Sequence, residues 1–96
     1  MKSIIANINK AFENKVRLGI MAVLVVNDTV NFNELKELLG VTDGNLASHL
    51  KSLESKEYIG YTKTFENRKP RTSYYATKDG KEAFKQHILA LEKLLK

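Results

Sequence analysis

A glycine set between two short helical segments constrains this chain more than any other feature. Residues Glu34 to Leu39 read as a helix opened by Asn33, with Glu34 well placed in its first turn. An asparagine side chain there accepts a first-turn N–H that has no partner in the helix, and an acid there meets the positive end of the helix dipole. Gly40 suits the left-handed position that commonly ends helices. Val41 bridges to Thr42, a second capping residue, with Asp43 in the turn that follows. A longer helix then runs from about Asp43 to Lys56, with Leu46, Ala47, Leu50 and Leu53 facing inward. Two helices joined by a tight glycine-containing turn form a helix-turn-helix unit.

The rest of the chain arranges itself around that unit. Ile4, Ile5, Ile8 and Phe12 form an apolar stripe at helical spacing, and Val16, Ile20, Val23 and Leu24 form another. Gly19 lies inside the second segment, where it costs about 1 kcal/mol against alanine and lets another helix come close. Asn27-Asp28 stops that helix, and Thr29 to Phe32 reads as a brief strand. Beyond the unit, Tyr58 to Phe65 alternates with Ile59, Tyr61 and Phe65 on one face, and Thr72 to Thr77 is a second β-like run. The polar connection Glu66 to Arg71, stiffened at its tip by Pro70, joins them as a hairpin. A last helix runs from about Asp79 to Lys96, capped by Thr77, with Phe84, Ile88, Leu91 and Leu95 at spacings of four, three and four.

These elements fill one domain of 96 residues: an α+β fold, mostly α, with a two- to three-stranded sheet. The absence of cysteine excludes disulfides, thiolate metal sites and a cysteine nucleophile. The longest apolar stretch, Gly19 to Val26, is too short for a bilayer. With no recognisable signal peptide, a cytoplasmic location is expected. His49 and His87 lie on different elements, so a metal site is not expected. There is no phosphate-binding glycine loop and no nucleophile beside a base, so neither an enzyme nor a cofactor is expected.

The charge is concentrated. From Tyr61 to Lys78 the chain carries Lys63, Arg68, Lys69, Arg71 and Lys78 against the single acid Glu66, a net +4 of the chain's +5. Arginine and lysine on a hairpin suit phosphates or a minor groove. On the second helix of the unit, Asn45, Ser48, His49 and Ser52 fall at i, i+3, i+4 and i+7, opposite the leucines. Such a face is ordinary solvated surface on an isolated helix. Beside a preceding helix, a glycine turn and a basic hairpin it reads as a DNA-facing surface, because asparagine and serine can pair with base edges. Thr42, Asp43 and Gly44 lie at its approach, where Gly44 lets backbone come near DNA, and Lys51 at its flank suits a phosphate.

The stretch from Phe32 to Glu54 resembles the helix-turn-helix of winged-helix regulators, in particular small winged-helix DNA-binding proteins related to the MarR and ArsR groups. Asn67 to Tyr74 resembles their wing, and Thr77 to Lys81 the turn into their last helix. The resemblance covers about Lys15 to Leu91 and implies a transcription regulator, with repression favoured. It divides the chain into a helix-turn-helix at about 33–56, a wing at about 58–77 and a C-terminal helix at about 79–96. Members of that family commonly dimerise through terminal helices. Ile4, Ile5, Ile8, Phe84, Ile88, Leu91 and Leu95 are therefore the expected contact between two copies, which suits a palindromic operator. Related regulators often take small-molecule effectors, and Phe12, Tyr58 and Phe84, core candidates first, mark where one could sit. The competing reading is a winged helix that binds proteins and never reads DNA, for which a basic hairpin has no use.

Overall fold

The computed structural model describes residues 5–95. A short 3-10 turn, Lys10–Phe12, leads into helix α1 (Lys15–Val25). Strand β1 (Val30–Asn31), helices α2 (Phe32–Leu39) and α3 (Asp43–Ser55), strands β2 (Ile59–Glu66) and β3 (Lys69–Ala76), and helix α4 (Lys78–Leu94) follow. The three strands form an antiparallel sheet in the order β1-β3-β2, with Val30 opposite Tyr74 and Ile59 opposite Ala76. This is the winged-helix arrangement.

The expected helix over the N-terminal apolar stripe is not there from residue 5 onward. Ile5 and Ile8 lie in an isolated turn, and only Lys10–Phe12 is helical. Two asparagines account for this. The Asn9 carboxamide accepts from Ala11 N–H at 2.9 Å, and the Asn14 carboxamide accepts from Val16 and Arg17 N–H. Each offers the backbone a local partner that a continuous helix would displace. Ile4 lies outside the described residues.

Helix α1 is the hub, touching α2, α3, α4 and β3. It buries Val16, Ile20, Met21 and Leu24 against Leu35 of α2 and Leu46, Leu50 and Leu53 of α3. Gly19 lies where α1 approaches α2: a Cβ there would meet the terminal methyl Cδ2 of Leu39 at 2.8 Å. The helix stops where Asn27 Nδ2 donates to the Val23 carbonyl at 2.8 Å.

Two expectations within the helix-turn-helix need correction. The cap of α2 is Asn31, not Asn33. Asn31 Oδ1 accepts from Glu34 N–H, and Glu34 Oε1 accepts from Asn31 N–H, a reciprocal box that only the residue three before Glu34 can close. Ala47 is exposed rather than inward-facing. At about 100° per residue it falls roughly a quarter turn past the Leu46, Leu50 and Leu53 stripe. Gly40 ends α2 with φ +62°, and Thr42 caps α3 by accepting Asn45 N–H at 3.2 Å.

Candidate nucleic-acid interface

Helix α3 presents its outer face on a rigid footing. Leu46, Leu50 and Leu53 are essentially fully buried behind it, and Lys36 Nζ of α2 meets Asp43 Oδ1 at 2.8 Å across the turn. Asp43 is thus paired with a lysine, and the Thr42 hydroxyl is engaged as the cap. Gly44, Asn45, Ser48 and Lys51 are exposed and Ser52 is half-buried. Among the described residues, the side chains of Asn45, Ser48, Lys51 and Ser52 have no polar partner within the protein. Their donors and acceptors are free for a ligand. Exposed Ala47 adds a methyl group to this surface, of the kind that can meet a thymine methyl.

His49 stands at the edge of that face, half-buried where α3 meets α1. Its Nδ1 lies 3.2 Å from Arg17 Nη1, and Arg17 Nε donates to the Ala11 carbonyl at 2.6 Å. Arg17 was invisible as a site residue in the sequence, because it belongs to the hub helix and not to the helix-turn-helix.

The hairpin differs from its expected form. The six-residue connection shrinks to a two-residue turn, Asn67-Arg68, with Glu66 and Lys69 closing the ladder. Pro70 lies inside β3 opposite Phe65, not at the tip. In a two-residue hairpin the closing pair exchanges hydrogen bonds and the next pair does not, so a residue without N–H is tolerated there. Asn67 and Arg68 have φ of +51° and +65°. Both values belong to the mirror-image turn that suits hairpin twist and ordinarily takes asparagine followed by glycine. Arg68 therefore sits in a glycine slot, at a cost of about 1–2 kcal/mol.

Register sorts the hairpin's charges. Thr64, Glu66, Lys69 and Arg71 share one face, where Arg71 Nε stands 3.5 Å from Glu66 Oε2. Tyr61, Lys63, Phe65, Pro70 and Tyr74 share the other, with Lys63 Nζ 6.0 Å from the Tyr61 ring centre. Desolvation raises the Tyr74 phenol pKa, with the charge of Glu54 adding to the effect. Between the start of α2 and β3 lies a cleft of about 410 Å³ lined by Asn31, Asn33, Lys69, Arg71 and Thr72 among others. The cleft depends on β1 bringing the two elements together, a pairing that sequence spacing does not reveal.

Helix α4 carries two faces. Against its own domain it buries Gly80, His87 and Ala90. His87 Nδ1 accepts Asn9 N–H at 3.0 Å, and Asn9 Nδ2 donates to the Tyr58 hydroxyl at 3.1 Å. Burial pushes the His87 pKa down, with the charge of Glu13 acting the other way. The stripe Phe84, Ile88, Leu91 and Leu95 is turned about a quarter circle from that buried face. Phe84, at the head of the stripe, meets Phe12, their ring centres 5.7 Å apart. Further along, Ile88 and Leu91 are half-buried and Leu95 is 88% exposed; Leu89, off the stripe, is exposed as well. Ile5, of the N-terminal stripe, is 61% exposed, and Ile8 is half-buried. Phe12 and Tyr58 also pack ring against ring at 5.5 Å.

Among the described residues, no group of three His, Cys, Asp or Glu is placed to hold a metal, and no helix is long and apolar enough to cross a membrane.

Comparison with known proteins agrees with this geometry. A transcriptional regulator homologue from Pyrococcus horikoshii has the same fold, with a TM-score of 0.85 and 32% identity over 96% of this chain and 89% of that one. MepR of S. aureus, solved with DNA, shares the fold at 14% identity and a TM-score of 0.76, over 91% of this chain and 74% of its own. An uncharacterized protein of Methanocaldococcus jannaschii is 38% identical over 87 residues, 91% of this chain and 95% of the relative. Residues 16–95 match the winged helix DNA-binding domain family, and the chain belongs to that family.

Proposed function

We propose that the protein is a homodimeric transcription regulator, a repressor, that binds double-stranded DNA with sequence preference. The observation that carries this reading is the free polar face of α3 beside a hairpin that keeps an arginine in a glycine slot. In this arrangement α3 enters the major groove. Asn45, Ser48 and Ser52 meet base edges, Thr42, Asp43 and Gly44 lie at the approach, and His49 borders the reading face. Lys51 meets a phosphate, and Lys63, Arg68, Lys69 and Arg71 take the flanking backbone and minor groove. The cleft between α2 and β3 supports the same reading, since Lys69 and Arg71 there face two asparagines suited to a phosphate.

The second face of α4 supports the dimer. A single copy covers the face of Gly80, His87 and Ala90, leaves Ile88 and Leu91 half-buried, and leaves Leu95 at the end of the stripe in water. Ile88, Leu91 and Leu95, with Ile5 and Ile8, form the contact between copies, and Phe84 joins it at the edge of the core. Ile4 belongs to the same expected stripe. Two copies related by a twofold axis read half-sites about one DNA turn apart, or a multiple of that.

The test is fluorescence anisotropy with duplex from upstream of the protein's own gene and with a scrambled duplex, across a salt series. The expected result is tight, salt-sensitive binding that prefers the upstream duplex. Absence of binding at low salt would overturn the reading in favour of a protein-binding winged helix. Sedimentation should show a dimer that Leu91→Glu dissociates, and a monomeric wild-type protein would remove the dimer.

A further inference from the structure

We infer that Arg17 is a positioning residue that fixes which hydrogen-bonding role His49 offers to DNA. The inference rests on the reading of α3 as the DNA-contacting helix. A guanidinium has only donors and stays charged in proteins. Where Arg17 Nη1 stands 3.2 Å from His49 Nδ1, that ring nitrogen must accept. The proton of the neutral ring then lies on Nε2. Arg17 is itself anchored, with Nε donating to the Ala11 carbonyl at 2.6 Å and Ala11 buried beside Phe12. The donor therefore approaches His49 from a fixed direction.

The consequence is a choice of sign. A free neutral histidine can present either nitrogen as donor or acceptor. With Nδ1 occupied, the remaining edge of His49 is a donor only. Among the described residues Arg17 is the sole hydrogen-bond partner of His49, so Nε2 is not spent inside the protein. His49 is one helical turn from Asn45 and three residues from Ser52, on the flank of the same face. A donor there can meet adenine N7 or thymine O4, suits guanine best because both of its major-groove groups accept, and opposes the amino group of cytosine. Specificity at that base pair is thus set partly by a residue of α1 that never needs to touch DNA.

The test has two arms. In the first, nitrogen-15 correlation spectra of the His49 ring are recorded on the free protein at about pH 8, above the ordinary range for imidazole protonation. The expected result is the Nε2–H form in the wild type and a mixture in Arg17→Met. An Nδ1–H ring in the wild type would overturn the inference. In the second, wild type, Arg17→Met, Arg17→Lys and His49→Ala each select from randomised duplexes. The wild type should favour guanine at one position per half-site. His49→Ala should lose that preference, and Arg17→Met should weaken it about tenfold while preferences elsewhere stay. Arg17→Lys, which keeps a donor, should restore part of it, and is the variant to rely on if Arg17→Met folds poorly. Unchanged selection in Arg17→Met and Arg17→Lys would overturn the role of Arg17 while leaving DNA reading by α3 intact. A wild-type protein that treats all duplexes alike would remove the underlying reading and the inference together.

Discussion

Helix α3 and the β2–β3 hairpin form the two halves of the proposed interface, and they are supported in opposite ways. Behind α3 stand three leucines with almost no exposure, a threonine cap and an ion pair to α2. The outer hairpin has no buried side chain of its own: every residue from Tyr61 to Arg71 is exposed. A surface that reads base edges needs side chains held in place, because a displaced donor loses its hydrogen bond. A surface that meets phosphates tolerates movement, because charge acts over distance and long side chains adapt. The difference in support therefore matches a division between reading and holding.

The contrast can be broken at its strongest point first. Leu50→Ala should cost about 2–5 kcal/mol of stability in denaturant melts. Phe65→Ala removes a side chain that is 74% exposed and should cost less than about 0.5 kcal/mol. Comparable losses would mean that the hairpin has a hidden support. Next is Gly80→Ala. A Cβ there would overlap the Tyr58 carbonyl, which already accepts Thr77 N–H at 3.0 Å. Neither backbone can swing aside, so a loss of about 1–3 kcal/mol is expected. A neutral outcome would show that the junction of α4 with the sheet yields.

Smaller effects sharpen the picture. Arg68→Gly should stabilise the fold by about 1 kcal/mol by relieving the left-handed backbone. It should also weaken binding to all duplexes alike and lower the salt slope by about 1. Stability gained with no change in binding would take the hairpin tip out of the interface. For His87, the folded protein disfavours the proton relative to the unfolded chain, because burial lowers its pKa. Its contribution is then fully present above the unfolded imidazole pKa and is lost as pH falls through the folded one. Melts across mildly acidic pH should show that decline in wild type and a shallower one in His87→Gln. Parallel curves would mean the buried ring carries none of it. Least of all, Lys36→Ala should cost no more than about 1 kcal/mol, since the pair with Asp43 is largely solvated.

Much of this architecture was legible because local signals agreed with one another. The leucine stripe of α3, the threonine caps and Gly40 each name the same turn. The N-terminal stripe misled because its spacing is helical while Asn9 and Asn14 draw the backbone into caps. Asn33 was a sound cap by type, but the reciprocal Glu34 sits at the right distance only from Asn31. The hairpin's charge was plain in the sequence, whereas its turn was not, since arginine is an unusual occupant of a left-handed position. Arg17 and His87 were beyond reach for a common reason. Their roles come from partners 32 and 78 residues away, across helix packing that periodicity does not specify.

Gly40 and Gly80 look alike in the sequence and are unlike in what they permit. Gly40 has φ +62° with nothing within 4 Å of where a Cβ would stand, so its demand is on backbone angle alone. Asparagine, which visits that conformation more readily than other side chains, can take the place. Gly80 demands space, which no side chain can supply. In evolutionary terms the first position is negotiable and the second is closed. Asparagine at the turn is expected to leave this fold in place, whereas any side chain at position 80 requires the seam between the last helix and the sheet to be rebuilt.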